Sequence, residues 1–149
     1  MKLHEIVQVQ EKQKAGFIPY IMESDGPVFM FMTPSDPKYG GLNPGIAKGH
    51  VDPGENIKEA GIREAEEELG LKTSNLKQDT AKLAWKGELT GLTETYIMTI
   101  YMGEVKDKKD FNKPHFETKE TSWLSEEEFM KIGAERQKDI VRTVARLLK

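Results

Sequence analysis

Cysteine is absent from all 149 residues, which excludes a disulfide framework and any thiolate metal site. Long apolar runs are missing as well: none approaches the roughly 18 residues that a membrane-crossing helix needs. The start, Met1-Lys2-Leu3-His4-Glu5, lacks the apolar stretch of a secretory signal. There is no basic surplus either. Twenty-two Lys and Arg stand against 25 Asp and Glu, a net charge of −3, whereas a dedicated nucleic-acid binder shows a basic face. Repeats, low-complexity tracts and linkers are not found. These absences predict a soluble, cytoplasmic chain without a membrane partner, folded as one domain over residues 1–149. The composition, 37% hydrophobic and 32% charged, suits that reading, since a chain of this size buries roughly 70% of its unfolded surface.

The first half of the chain reads as strands. Glu5 to Gln10 alternates polar and apolar residues, and Gly16 to Met22 is rich in β-formers. Ser24-Asp25-Gly26-Pro27 predicts a turn into Val28 to Met32, so a hairpin is expected there. Thr33 to Gly45 reads as loop. Asn56 to Leu69 predicts a helix, with Asn56 as N-cap, Glu59 as its reciprocal partner and Gly70 as a left-handed stop. Ile57, Ala60, Ala65 and Leu69 would form its buried stripe. Gly61 is an objection inside a helix unless another backbone packs against it. Further on, Lys82 to Lys86, Thr93 to Val105 and Thr121 to Leu124 read as strands, and Lys106 to Lys113 as a charged loop. Ser125 with Glu128 predicts a capped short helix. Glu135 to Leu148 predicts a last helix with Ile140, Val141, Val144, Leu147 and Leu148 inward. Strands flanking one helix, with two helices after, predict an α/β (α+β) class with a mixed sheet.

Glu64, Glu67 and Glu68 stand at helical spacings of three and four, so their carboxylates share one face. An isolated glutamate run reads as a solvated helix face. Here a loop with Lys48, Gly49 and Gly54 leads directly into it. Glycines let the backbone approach a ligand, Lys48 offers a point charge for a phosphate oxygen, and a hard cation such as Mg²⁺ takes oxygen ligands. Arg63, four residues before Glu67, and Glu55 at the helix mouth are placed to hold the cluster. The chemistry this suggests is metal-assisted attack of water on a phosphoanhydride.

Gly49, Glu55, Arg63, Glu64, Glu67, Glu68, Gly70 and Leu71 match, in type and spacing, the box of the Nudix hydrolase family. Ala65 alone is smaller than the aliphatic residue usual at its position. The small size also resembles the Nudix hydrolases of T-even bacteriophages, for which the compartment would be the host cytoplasm. The resemblance implies an α/β/α sandwich with the box as loop–helix–loop, and cleavage of a nucleoside diphosphate linked to a group X. It implies Mg²⁺, with Mn²⁺ able to substitute, held by Glu64, Glu67, Glu68 and the Lys48 carbonyl. Arg63 and Glu55 would orient these groups. The general base would be a box glutamate or one from a later loop, Glu117 or Glu120, with Glu64 and Glu120 favoured. A homodimer is a further expectation, since many relatives are dimers.

The group X is harder to read. The loop Lys48 to Glu55 resembles that of dinucleoside polyphosphate hydrolases. Yet the tyrosine those enzymes often carry beyond the box, and the proline of ADP-ribose enzymes, are both missing at Trp85-Lys86-Gly87-Glu88. Adenosine-containing substrates (ADP-ribose, diadenosine polyphosphates, FAD) lead, with Lys48 and Gly49 at the phosphates. Trp85, Tyr96, Tyr101 and Phe116 are candidate base-stacking residues. His50 reads as structural or exposed, and Trp123 as core. The alternatives are removal of an NAD or other nucleotide cap from RNA, cleansing of dNTP pools, and a non-catalytic nucleotide-sensing module.

Overall fold

The computed structural model describes residues 12–39, 42–90 and 94–149, so the strand expected at Glu5 to Gln10 and the start expected at Thr93 lie outside the described residues. Among the described residues six strands form one mixed sheet: β1 (Lys12–Glu23), β2 (Gly26–Pro34), β3 (Ala47–His50), β4 (Lys82–Thr90), β5 (Thr95–Glu104) and β6 (Thr118–Ser125). The order is β4-β5-β1-β2-β6, with β3 added against β1. The expected hairpin is present: Ser24 and Asp25 turn the chain, and Glu23 pairs with Gly26. Strand β1 is the hub. Its far half pairs with β2, its first half pairs antiparallel with β3, and its other edge runs parallel to β5.

Period-two alternation along the central strands sends apolar side chains to both faces. Phe29 and Phe31 of β2 join Ile18, Met98 and Ile100 on one face, whereas Met30 and Met32 join Phe17 on the other. The second face is covered by α1 (Ile57–Leu69), the first by α2 (Glu126–Ile132) and α3 (Lys138–Arg146). The result is the expected α/β/α sandwich. Ser125 and Glu128 form the expected reciprocal cap of α2. Trp123 is half-buried and meets Phe111 edge-on at 6.0 Å.

Helix α1 begins and ends where its local signals place it. The Asn56 side chain accepts from the Lys58 and Glu59 amides, and Gly70 closes the helix with φ of 75°. The bond expected back from Glu59 is absent; Glu55 instead accepts from the Asp52 amide at 3.0 Å. Ala60, Ala65 and Leu69 are buried as expected, but Ile57 is only half-buried, and Glu64 and Glu68 are buried beside them. Gly61 has its reason: a Cβ there would fall 2.7 Å from the Gly16 carbonyl oxygen, so helix and strand touch backbone to backbone. Two other expectations need correction. The last helix is preceded by a separate 3₁₀ turn at Glu135–Gln137, and Leu147, beyond its end, is exposed rather than inward. The last two residues before the box and its first two form β3, which reads as loop because a four-residue strand with an internal glycine carries little local signal.

Candidate functional site

The antiparallel register Gly16↔Lys48 and Ala15↔Gly49 brings β3 onto the sheet beside α1. The Lys48 amide donates to Glu68 Oε1 at 3.3 Å. Gly49 lies against Glu64 so closely that a Cβ would fall 2.3 Å from its carboxyl carbon. Any larger residue there would have to push the Glu64 carboxyl aside. Arg63 spends its planar fork on the same cluster: Nε and Nη2 donate to the two Glu55 oxygens at 2.8 and 3.0 Å, and Nη2 also donates to the His50 carbonyl at 3.0 Å. Nη1 donates to Glu64 at 3.0 Å and to Glu67 at 3.3 Å. Arg63 holds the Glu55 carboxyl down at about 2, helped by the Asp52 amide. Burial, then the neighbouring Glu64 carboxyl, pushes Glu68 up to about 9. Burial and the nearby Lys14 lower the Lys48 ammonium.

The far end of α1 is fastened to the chain that follows β5. The amides of Asn112 and His115 donate to the carbonyls of Gly70 and Glu67, and the buried Thr118 hydroxyl donates to the Glu68 carbonyl at 2.7 Å. These bonds satisfy carbonyls that a helix end leaves open and fix the segment carrying Phe116 and Glu117 beside the carboxylates. A cleft of about 710 Å³ lies between, lined by the acidic face, Lys48, Gly49, His50, Phe116 and Glu117, and also by Lys14, Ser35 and Gln137.

The NUDIX domain, as a family model, matches residues 12–144, almost the entire chain including all of this loop and helix. This chain belongs to the Nudix family. An RNA pyrophosphohydrolase of Wolbachia sp. subsp. Brugia malayi (strain TRS) is 26% identical over 111 residues, 66% of this chain and 69% of the relative. The asymmetrical bis(5'-nucleosyl)-tetraphosphatase of Mus musculus is 34% identical over 88 residues, 58% of each chain. A C. elegans Ap4A hydrolase in a binary complex has a TM-score of 0.74 at 21% identity, covering 92% of this chain and 97% of that one. At that identity the likeness is one of fold. The expected enzyme class, a Nudix pyrophosphohydrolase, agrees with the family and with these relatives.

The carboxylates of this Nudix chain are not closed around a cation: among the described residues no group of three acidic or histidine side chains is gathered tightly enough to hold one. Glu67 is drawn to Arg63 instead. The donor set nevertheless fits a divalent cation of the Mg²⁺ type. It offers carboxylate and peptide oxygens, and Glu68 is a buried acid that desolvation and the Glu64 carboxyl raise by more than the nearby Lys48 lowers it.

Among the residues singled out from the sequence, Arg63, Glu64, Glu67, Glu68, Lys48, Gly49, Phe116 and Glu117 meet in the cleft. Glu120 does not line it. It lies exposed on β6 opposite Thr33, one strand turn past the point where the segment leaves the site. Trp85 and Tyr96 do not line the cleft either: Tyr96 shares its face of β5 with Met98 and Ile100 in the core beneath α2 and α3, and the half-buried Trp85 packs against that core. Tyr101 packs on the α1 side. Phe116, by contrast, is 86% exposed at the cleft. His50 is exposed and lines the cleft. Lys14, Ser35 and Gln137 are cleft residues that the sequence reading missed, since their positions depend on pairings between distant segments. No helix among the described residues is long and apolar enough to cross a membrane.

Proposed function

We propose that this Nudix hydrolase cleaves the diphosphate linkage of nucleoside diphosphate derivatives with the help of Mg²⁺, Mn²⁺ substituting, and that adenosine-containing dinucleoside polyphosphates are its preferred substrates. The observation that carries this reading is the meeting of a three-carboxylate helix face with a lysine and an exposed aromatic ring in one cleft. The tetraphosphatase relative supports the choice among adenosine compounds.

Glu64, Glu67, Glu68 and the Lys48 carbonyl would hold the cation, which when bound neutralises phosphate charge and acidifies a water. Lys48 binds a phosphate oxygen of the scissile linkage. Arg63, clamped by Glu55, keeps Glu64 and Glu67 turned toward the cleft. Glu117 takes the proton from the water that attacks phosphorus, and the bridging oxygen leaves with the other phosphate. Glu117 replaces Glu120 in this role because it borders the cleft, while Glu64 remains the alternative base within the box. Phe116 stacks on a base.

A panel tests the reading: diadenosine polyphosphates, ADP-ribose, FAD, NAD, dNTPs and RNA bearing a 5′-triphosphate or NAD cap, scored by kcat/KM with Mg²⁺ and with EDTA. Diadenosine polyphosphates are expected to lead, and EDTA to abolish turnover. The RNA pyrophosphohydrolase relatives favour a second reading, removal of phosphate from the 5′ end of RNA; higher kcat/KM on RNA would select it. A lead for dNTPs would indicate pool cleansing. Absence of turnover on every compound would indicate a sensing module.

A further inference from the structure

Strand register places a second set of charges in the cleft. Lys14 is paired directly with His50 across the β1–β3 ladder, and Lys48 lies two residues before His50. Directly opposed residues and their neighbours two along point to the same side of a sheet, so Lys14, Lys48 and His50 share one face. It is not the face that α1 covers. Lys14 stands 4.2 Å above the ring of Tyr96, a residue of the core beneath α2 and α3, whereas the carboxylates belong to α1 on the other side. All three basic residues line the same cleft as those carboxylates. The cleft therefore passes around β3, from an acidic wall to a basic one.

The Lys14 ammonium is held in place without being consumed. The Tyr96 ring supports it from below, and its contact with Glu94 is long, 3.9 Å. Glu94 is engaged more closely by Lys12. Two lysines on adjacent strands repel each other, and an anion between them removes that cost. Lys48 adjoins the acidic face through the hydrogen bond its amide donates to Glu68, so Lys14 is the further of the two from the carboxylates.

We propose that Lys14, seated on Tyr96, is a subsite for the distal phosphates of a polyphosphate chain. Resting on the diphosphate-cleaving reading above, it makes the enzyme a selector of chain length. The diphosphate at the carboxylates reaches Lys48; a third or fourth phosphate continues around β3 to Lys14. Compounds with only two phosphates leave Lys14 unused. The ligand class is an inorganic or nucleotide-borne polyphosphate of three or more phosphates.

Calorimetric binding of inorganic tripolyphosphate and of pyrophosphate, in Mg²⁺ buffer, tests this without requiring turnover, so that a failure of the hydrolytic reading is seen separately in the substrate panel. Lys14→Met keeps the aliphatic stem over Tyr96 and removes the charge. It is expected to weaken tripolyphosphate about tenfold and pyrophosphate by much less. Lys82→Met, on exposed β4, removes an equal charge from outside the cleft and is expected to change neither. The proposal is overturned if wild type does not bind tripolyphosphate, if Lys14→Met binds it as wild type does, or if Lys82→Met weakens it equally. Equal losses for the two ligands in Lys14→Met would overturn it as well, and unfolding transitions of both variants confirm that the fold is retained.

Discussion

At the scale of single residues, Arg63 governs more of the site than its position outside the carboxylate trio suggests. One guanidinium reaches Glu55 twice, Glu64, Glu67 and the His50 carbonyl. A planar fork with five donors can do this, and a lysine ammonium cannot. Arg63→Lys is therefore expected to lower kcat/KM about 10- to 100-fold, the usual cost of losing a group that orients metal-binding side chains. Circular dichroism should report an intact fold. Near-normal turnover in Arg63→Lys would show that the carboxylates need no such clamp. The sequence spacing already indicated Arg63 and the three glutamates, because one helix and its loop supply them all.

At the scale of elements, legibility follows the distance over which the controlling contacts act. Helix α1 was readable because Asn56 and Gly70 cap it locally, and α2 because Ser125 and Glu128 do the same. Strand β3 was not, since Ala47 to His50 becomes a strand only by pairing with β1, 30 or more residues earlier in the chain. Missing β3 meant missing Lys14, whose direction depends on that register. The aromatic residues failed for a related reason. Composition cannot tell that helices roof β5 on both faces, so Tyr96 read as a base platform and proved to be core. Glu120 and Glu117 differ by three residues, yet the start of β6 between them decides which one borders the cleft.

The contact of α1 with β1 belongs to this scale too. Gly61→Ala places a Cβ against the Gly16 carbonyl, and relieving it must lift the helix. The expected cost is about 1–3 kcal/mol, as for other overpacked sites, seen as a lower urea midpoint. Unchanged stability would mean that the helix rides higher than described.

At the scale of the whole molecule, the sandwich encloses an electrostatic debt at the cleft, where two buried glutamates face each other. A cation that binds the folded chain alone stabilises it by mass action, about 2.7 kcal/mol at one hundred times its Kd. Saturating Mg²⁺ is expected to raise Tm by about 5 °C or more. Glu68→Gln should lose most of that rise. A Tm indifferent to Mg²⁺ in the wild-type chain would remove the cation from this site.

The meeting of Gly16 and Gly61 has a wider consequence. Side-chain layers change thickness whenever a methyl group is gained or lost, but here the spacing between helix and sheet is set by main-chain atoms, which substitutions anywhere but at the two glycines leave alone. The carboxylates thus hang from a fixed datum. The walls of the cleft, built from loops and strand ends, are free to be rewritten around it, and a lineage can wander among leaving groups without having to reinvent the reaction.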